Sequence, residues 1–219
     1  MSDHAGMGSM QEPWTTTDFL HAVTMWAVMM IGMMLPSATP VILLFAAIQA
    51  KGGSVPASPG KTTLFGLGYL IVWGGFSVLA AAAQWALHDA SQLSARVAVT
   101  SGWLSAAVLV AAGVYQLTPL KAVCLTHCRN PFSLFMTYWR EGPGGALRMG
   151  ARHGWYCLGC CWLLMGLLFV MGVMNLGWVA AIAAFVLLEK VGPGGVWIGR
   201  VAAVAMIAGG IVVAARLAM

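Results

Sequence analysis

Charged side chains are too scarce in this chain for a soluble fold. Asp, Glu, Lys and Arg make up 8% of the 219 residues and hydrophobic residues 60%, at a mean hydropathy of +0.86. A soluble domain carries about a quarter of its residues as charges, so lipid must solvate most of this surface. The apolar residues fall into six blocks, roughly 19–50, 64–87, 103–117, 155–174, 177–188 and 196–215. A transmembrane helix needs about 20 such residues. The expected fold is an all-α, polytopic transmembrane helix bundle of about six spans.

Two of the blocks are irregular. The first is too long for one straight span, and Pro36 and Pro40 interrupt it. Proline lacks a backbone donor and crowds the preceding turn, which predicts a kink or break at Pro36, with Ser37 or Thr39 satisfying freed backbone groups. The run 155–190 poses the opposite problem. As one helix it would be roughly 54 Å long against a hydrocarbon core of about 30 Å. Met174-Asn175-Leu176-Gly177 offers a turn, so two short spans in a hairpin are expected. The organisation read from this is a polar extracytoplasmic tail (1–17) followed by a single transmembrane helical domain (18–219). Its third loop (119–153) is read as cytoplasmic and partly interfacial, with 132–140 as a helix lying in the interface.

Orientation follows from the basic residues. Six spans with the N-terminus outside put Lys51, Lys61, Lys121, Arg129, Arg140, Arg148, Arg152, Lys190 and Arg200 inside, leaving Arg96 and Arg216 outside. The positive-inside rule favours that arrangement. The basic pI near 9.2 then reports topology and contact with anionic lipid, and no nucleic-acid partner is expected. The first 18 residues lack the positive n-region of a cleavable signal peptide.

Sulfur is clustered. All five cysteines lie in two groups, Cys124/Cys128 after the third block and Cys157/Cys160/Cys161 at the start of the fourth. On a helix, Cys124 and Cys128 share a face at i, i+4, with His127 beside them. Cys157, Cys160 and Cys161 would flank the first turns of the fourth span, where a helix N-terminus stabilises thiolate. A cytoplasmic placement disfavours disulfides and leaves metal ligation, redox chemistry or inert packing. Thiolates with a nearby imidazole suit Cu(I), with Zn(II) as the alternative. Thioethers add a second set. Met25, Met29 and Met33 form one stripe of the first block, with Met30 and Met34 on the next. Met29, Met33 and Met34 are the candidate ligands inside the membrane, although methionine is also a common gap-filler. His4, Met7 and Met10 place further soft or imidazole donors in the tail. Glu189-Lys190 reads as an interfacial pair with snorkelling stems, the carboxylate with the alternative of ligating or carrying protons beside the thiols, and His153 as a loop residue. No Ser/His/Asp set, phosphate-binding glycine loop or HExxH occurs, so nothing points to an enzyme or assigns a catalytic residue.

The pieces Met29-Met30 to Pro36-Ser37, Tyr115-Gln116 to Lys121 with Cys124 and Cys128, Gly154 through Trp162, Met174-Asn175 and Glu189-Lys190 resemble a bacterial family of predicted metal-binding integral membrane proteins of unknown function. The resemblance spans roughly 25–195 and implies a multi-span fold, a metal and a bacterial cytoplasmic membrane. The leading expectation is a membrane-embedded transition-metal protein, for copper, acting in delivery or passage. It would work with a metallochaperone or other subunits of a membrane complex. Competing readings are a structural subunit packed against a larger membrane enzyme, its sulfurs inert, and a thiol oxidoreductase using Cys157 and Cys160.

Overall fold

The computed structural model describes residues 14–51, 59–90 and 99–219. The tail with His4, Met7 and Met10, and most of the first loop, therefore lie outside the described residues. Within them the chain forms eight helices and no strand: α1 Thr16–Lys51, α2 Pro59–Asp89, α3 Gly102–Gln116, α4 Pro119–Arg129, α5 Pro131–Tyr138, α6 Gly142–Met171, α7 Leu176–Val191 and α8 Gly195–Ala218. The caps are readable in the sequence. The Thr15 backbone N–H donates to Asp18 Oδ2 (2.9 Å) and the Asp18 N–H to Thr15 Oγ1 (3.3 Å), a reciprocal cap on α1. Thr118 accepts from the Lys121 N–H, and Pro119 occupies the first turn of α4. Gly172, at φ +87°, ends α6, and the Asn175 side chain caps α7 through the Gly177 N–H. That turn lies where the hairpin was expected.

The six apolar helices α1, α2, α3, α6, α7 and α8 alternate in direction. At one end Trp14 packs beside Trp85 and His88, Trp26 beside Phe169, and the Val99 N–H donates to the Phe169 carbonyl. At the other end Phe45 stacks on Phe65, and both meet Phe135 of α5. Close contacts rest on missing side chains. A Cβ on Gly68 or Gly150 would run into Leu147 or Phe65 backbone, so α2 and α6 touch main chain to main chain. Gly113 and Gly210 do the same for α3 against α8, where a Cβ would meet the Ala203 carbonyl oxygen (2.8 Å) and the Ala106 carbonyl oxygen (2.9 Å) respectively.

Four helices (α1, α2, α6 and α8) are each long and apolar enough to cross a membrane, and the α3–α4 pair, bent by 63°, makes a fifth candidate. The expected six is thus reduced by length, since the 16 residues of α7 reach only roughly 24 Å. No break occurs at Pro36: α1 runs helically through Pro36 and Pro40. Ser37 Oγ donates to the Met34 carbonyl and Thr39 Oγ1 to the Leu35 carbonyl, both at 2.9 Å, tying the side chains back onto the helix beside the prolines. The stretch 119–153 is not an open loop. It holds α4, α5 and the first two-fifths of α6, and α4 packs inside the bundle with Lys121, Leu125 and Cys128 buried.

Candidate metal centre

α6 begins at Gly142, so Cys157, Cys160 and Cys161 occupy its middle and not its first turns. The helix-terminus argument for thiolate therefore falls away. All three are buried, and the thiols of Cys160 and Cys161 donate back to the Cys157 carbonyl at 3.1 and 2.9 Å. α4 crosses this face and places Cys128 Sγ 4.0 Å from Cys160 Sγ. α1 contributes Met34, whose Sδ lies 4.0 Å from Cys161 Sγ. Two elements far apart in sequence thus deliver sulfur to the same turn of α6, one from each flank.

Cys157 has a different environment. Its Sγ lies 2.9 Å from Lys190 Nζ and 3.1 Å from the Tyr69 hydroxyl, which also reaches the Met34 carbonyl at 3.2 Å. Lys190 Nζ is 3.4 Å from Ser37 Oγ as well. The expected Glu189–Lys190 interfacial pair is not formed. Both residues are buried, and the carboxylate of Glu189 pairs with Lys121 Nζ at 2.6 Å. Arg129 donates to the Glu189 and Gly192 carbonyls at 2.6 and 2.9 Å, fastening the end of α7 to α4. The two helix neighbours point to different partners because successive helical residues are about 100° apart.

Other expected ligands are spread more widely. Cys124 is half-buried, and a side chain at Gly159 would meet its Sγ at 2.8 Å. It lines an apolar cavity of about 550 Å³ with Phe76, Tyr115, Trp155 and Trp162. His127 stacks on Tyr156 (4.2 Å between rings, nearly parallel), with Nδ1 2.9 Å from the Val123 carbonyl oxygen. Met33 is buried in the core and Met29 packs half-buried against it. His153, read as a loop residue, is buried in α6 between the Phe65 and Tyr69 rings, and its Nδ1 has no hydrogen-bond partner.

The donors fit a soft monovalent ion. Metal–thiolate bonds of about 2.3 Å let two sulfurs sit up to about 4.6 Å apart, so the 4.0 Å pairs are already within bridging reach. Among the described residues no three His, Cys, Asp or Glu side chains are grouped to hold one ion. A tetrahedral zinc cage, which needs four ligands, is not what this arrangement offers. Tyr69 and Lys190, which contact Cys157, were missed as members of the site. The available signal was Lys and Glu side by side at the end of an apolar run, where an unpaired charge in a membrane segment points to function.

A family model described as PpoB2, copper chaperone, matches residues 23–213. The chain belongs to that family. No match was found among curated proteins or among solved structures.

Proposed function

We propose that this member of the copper chaperone family is a membrane-embedded carrier that takes Cu(I) onto its buried thiols and passes it on by ligand exchange. The observation that carries the reading is the 4.0 Å approach of Cys128 and Cys160, from two helices, inside a core that also holds Met34 and Cys161. Soft sulfur donors select Cu(I), and their burial keeps the ion from water and oxidant. The partner would be an apo-metalloprotein or metallochaperone offering thiolates of its own. The basic residues still favour an N-out chain in a bacterial cytoplasmic membrane, and labelling of single reporters at Ser9 and Ser91 from outside, but not at Ser54, is the expected pattern.

Elemental analysis after purification in detergent under reducing conditions tests the metal. Copper should be stoichiometric in the wild type and lost in a Cys128→Ser/Cys160→Ser variant that retains its melting midpoint. A wild type without copper, or a variant that keeps its copper, overturns the reading.

A further inference from the structure

Lys190 is a buried cation with no carboxylate against it among the described residues. It is 7% exposed, and its Nζ contacts Cys157 Sγ at 2.9 Å and Ser37 Oγ at 3.4 Å. The neighbouring carboxylate, Glu189, is taken up by Lys121 at 2.6 Å. An ammonium withdrawn from water needs an opposite charge close by. Here the groups able to supply one are the thiols and the Tyr69 hydroxyl: Cys157 in contact, with Cys160, Cys161 and Tyr69 within electrostatic reach. A Lys ammonium has no lone pair, so it cannot be a ligand. What it brings to the site is one fixed positive charge.

That charge distinguishes metals. When Cu(I) enters between two thiols, two S–Cu bonds form, two S–H bonds break and both protons leave to solvent. The resulting bis-thiolate complex carries one net negative charge. A divalent ion held by the same two thiolates gives a neutral complex. In a low-dielectric interior, a nearby ammonium stabilises the first and does nothing for the second. We propose that Lys190 sets the metal preference of the thiol site, neutralising the anionic complex of a monovalent soft cation while giving no gain to a divalent one. The inference rests on the copper-carrier reading above and assigns to Lys190 a positioning and charge-balancing role.

The test compares wild type, Lys190→Met and Lys190→Arg in detergent. Cu(I) affinity is measured by competition with a chromophoric Cu(I) chelator, Cd(II) affinity by thiolate charge-transfer absorbance, and the metal-free melting midpoint serves as a fold control. Lys190→Met should bind Cu(I) about 10–100-fold more weakly, the range for losing a residue that supports a metal ligand. Its Cd(II) affinity should be unchanged or higher, and its metal-free midpoint should not fall, because an apolar side chain of similar length needs no counter-charge. Lys190→Arg should return Cu(I) affinity towards the wild-type value. If Lys190→Met fails to fold, Lys190→Gln carries the same expectation. Equal Cu(I) affinity in wild type and Lys190→Met overturns the inference while leaving copper binding intact, and equal loss of both metals shows a merely structural lysine. A wild type that binds no Cu(I) overturns the carrier reading itself.

Discussion

Removing either member of the Lys121–Glu189 pair should cost far more stability than removing both. The two charges meet at 2.6 Å with side chains only 2% and 3% exposed. At an effective dielectric of about 20 their attraction is roughly 6 kcal/mol, a gross figure that the desolvation of two ions largely cancels. The net worth of the pair relative to apolar side chains is therefore small, but one charge left alone is expensive. Lys121→Met or Glu189→Leu should each cost about 3–5 kcal/mol. At about 2–4 °C per kcal/mol for a chain of this length, the melting midpoint would drop by roughly 6–20 °C. Lys121→Met/Glu189→Leu should melt near the wild type. The assay is thermal unfolding in detergent of the four proteins as a double-mutant cycle. Single variants that melt like wild type, or a double variant that loses the sum of the singles, would refute the reasoning.

Trp26 Nε1 donates to Gln84 Oε1 at 2.8 Å between buried side chains of α1 and α2; Trp26→Phe leaves that oxygen unpaired and should cost about 1–3 kcal/mol in the same melting assay. Gly150→Val must push α2 away from α6, because a Cβ there collides with the Phe65 backbone, and should cost at least about 1–3 kcal/mol. The same substitution at exposed Gly144, where a Cβ meets nothing, should cost clearly less and serves as the control. Met34→Leu keeps volume but removes the thioether beside Cys161. Copper should still bind at Cys128 and Cys160, and stopped-flow transfer to a chelator should change in rate while stoichiometry stays fixed.

The apolar helices were legible because a span-length hydrophobic run is a compositional signal that needs no knowledge of neighbours. Each of the six blocks became a helix, with ends close to those expected except at α6. That helix starts well upstream because Gly145 and Gly150, which read as loop residues, are helical positions where the chain packs close to its neighbours. The same misreading put His153 in a loop. The approach of the two cysteine groups could be anticipated in part, since the six-span reading put both on one membrane face, although it did not make their helices neighbours. The counter-charges could not. Lys121 and Glu189 are 68 residues apart, and nothing local marks them as partners. At α1 the prolines suggested a break, but the Ser37 and Thr39 side chains bond back to α1 carbonyls and the helix continues.

The sulfur pairs differ in charge as well as position, and that difference bears on how copper would move. A Cu(I) ion between Met34 and Cys161 has one thiolate and one neutral thioether, so the complex is neutral. Between Cys128 and Cys160 it has two thiolates and is anionic. In the proposed carrier, passing from the first pair to the second would exchange one ligand at a time along Cys157, Cys160 and Cys161, all on one turn of α6, so the ion would never be bare in a low-dielectric interior. The costly moment is the appearance of negative charge. Lys190 stands 2.9 Å from Cys157, one turn of α6 from Cys160 and Cys161, where its ammonium would offset that charge. A four-thiolate cage would hold the metal more firmly but leave no open position for a partner's ligand. Two-coordinate pairs would leave positions open for a partner's thiolate, which is what the proposed transfer by ligand exchange requires.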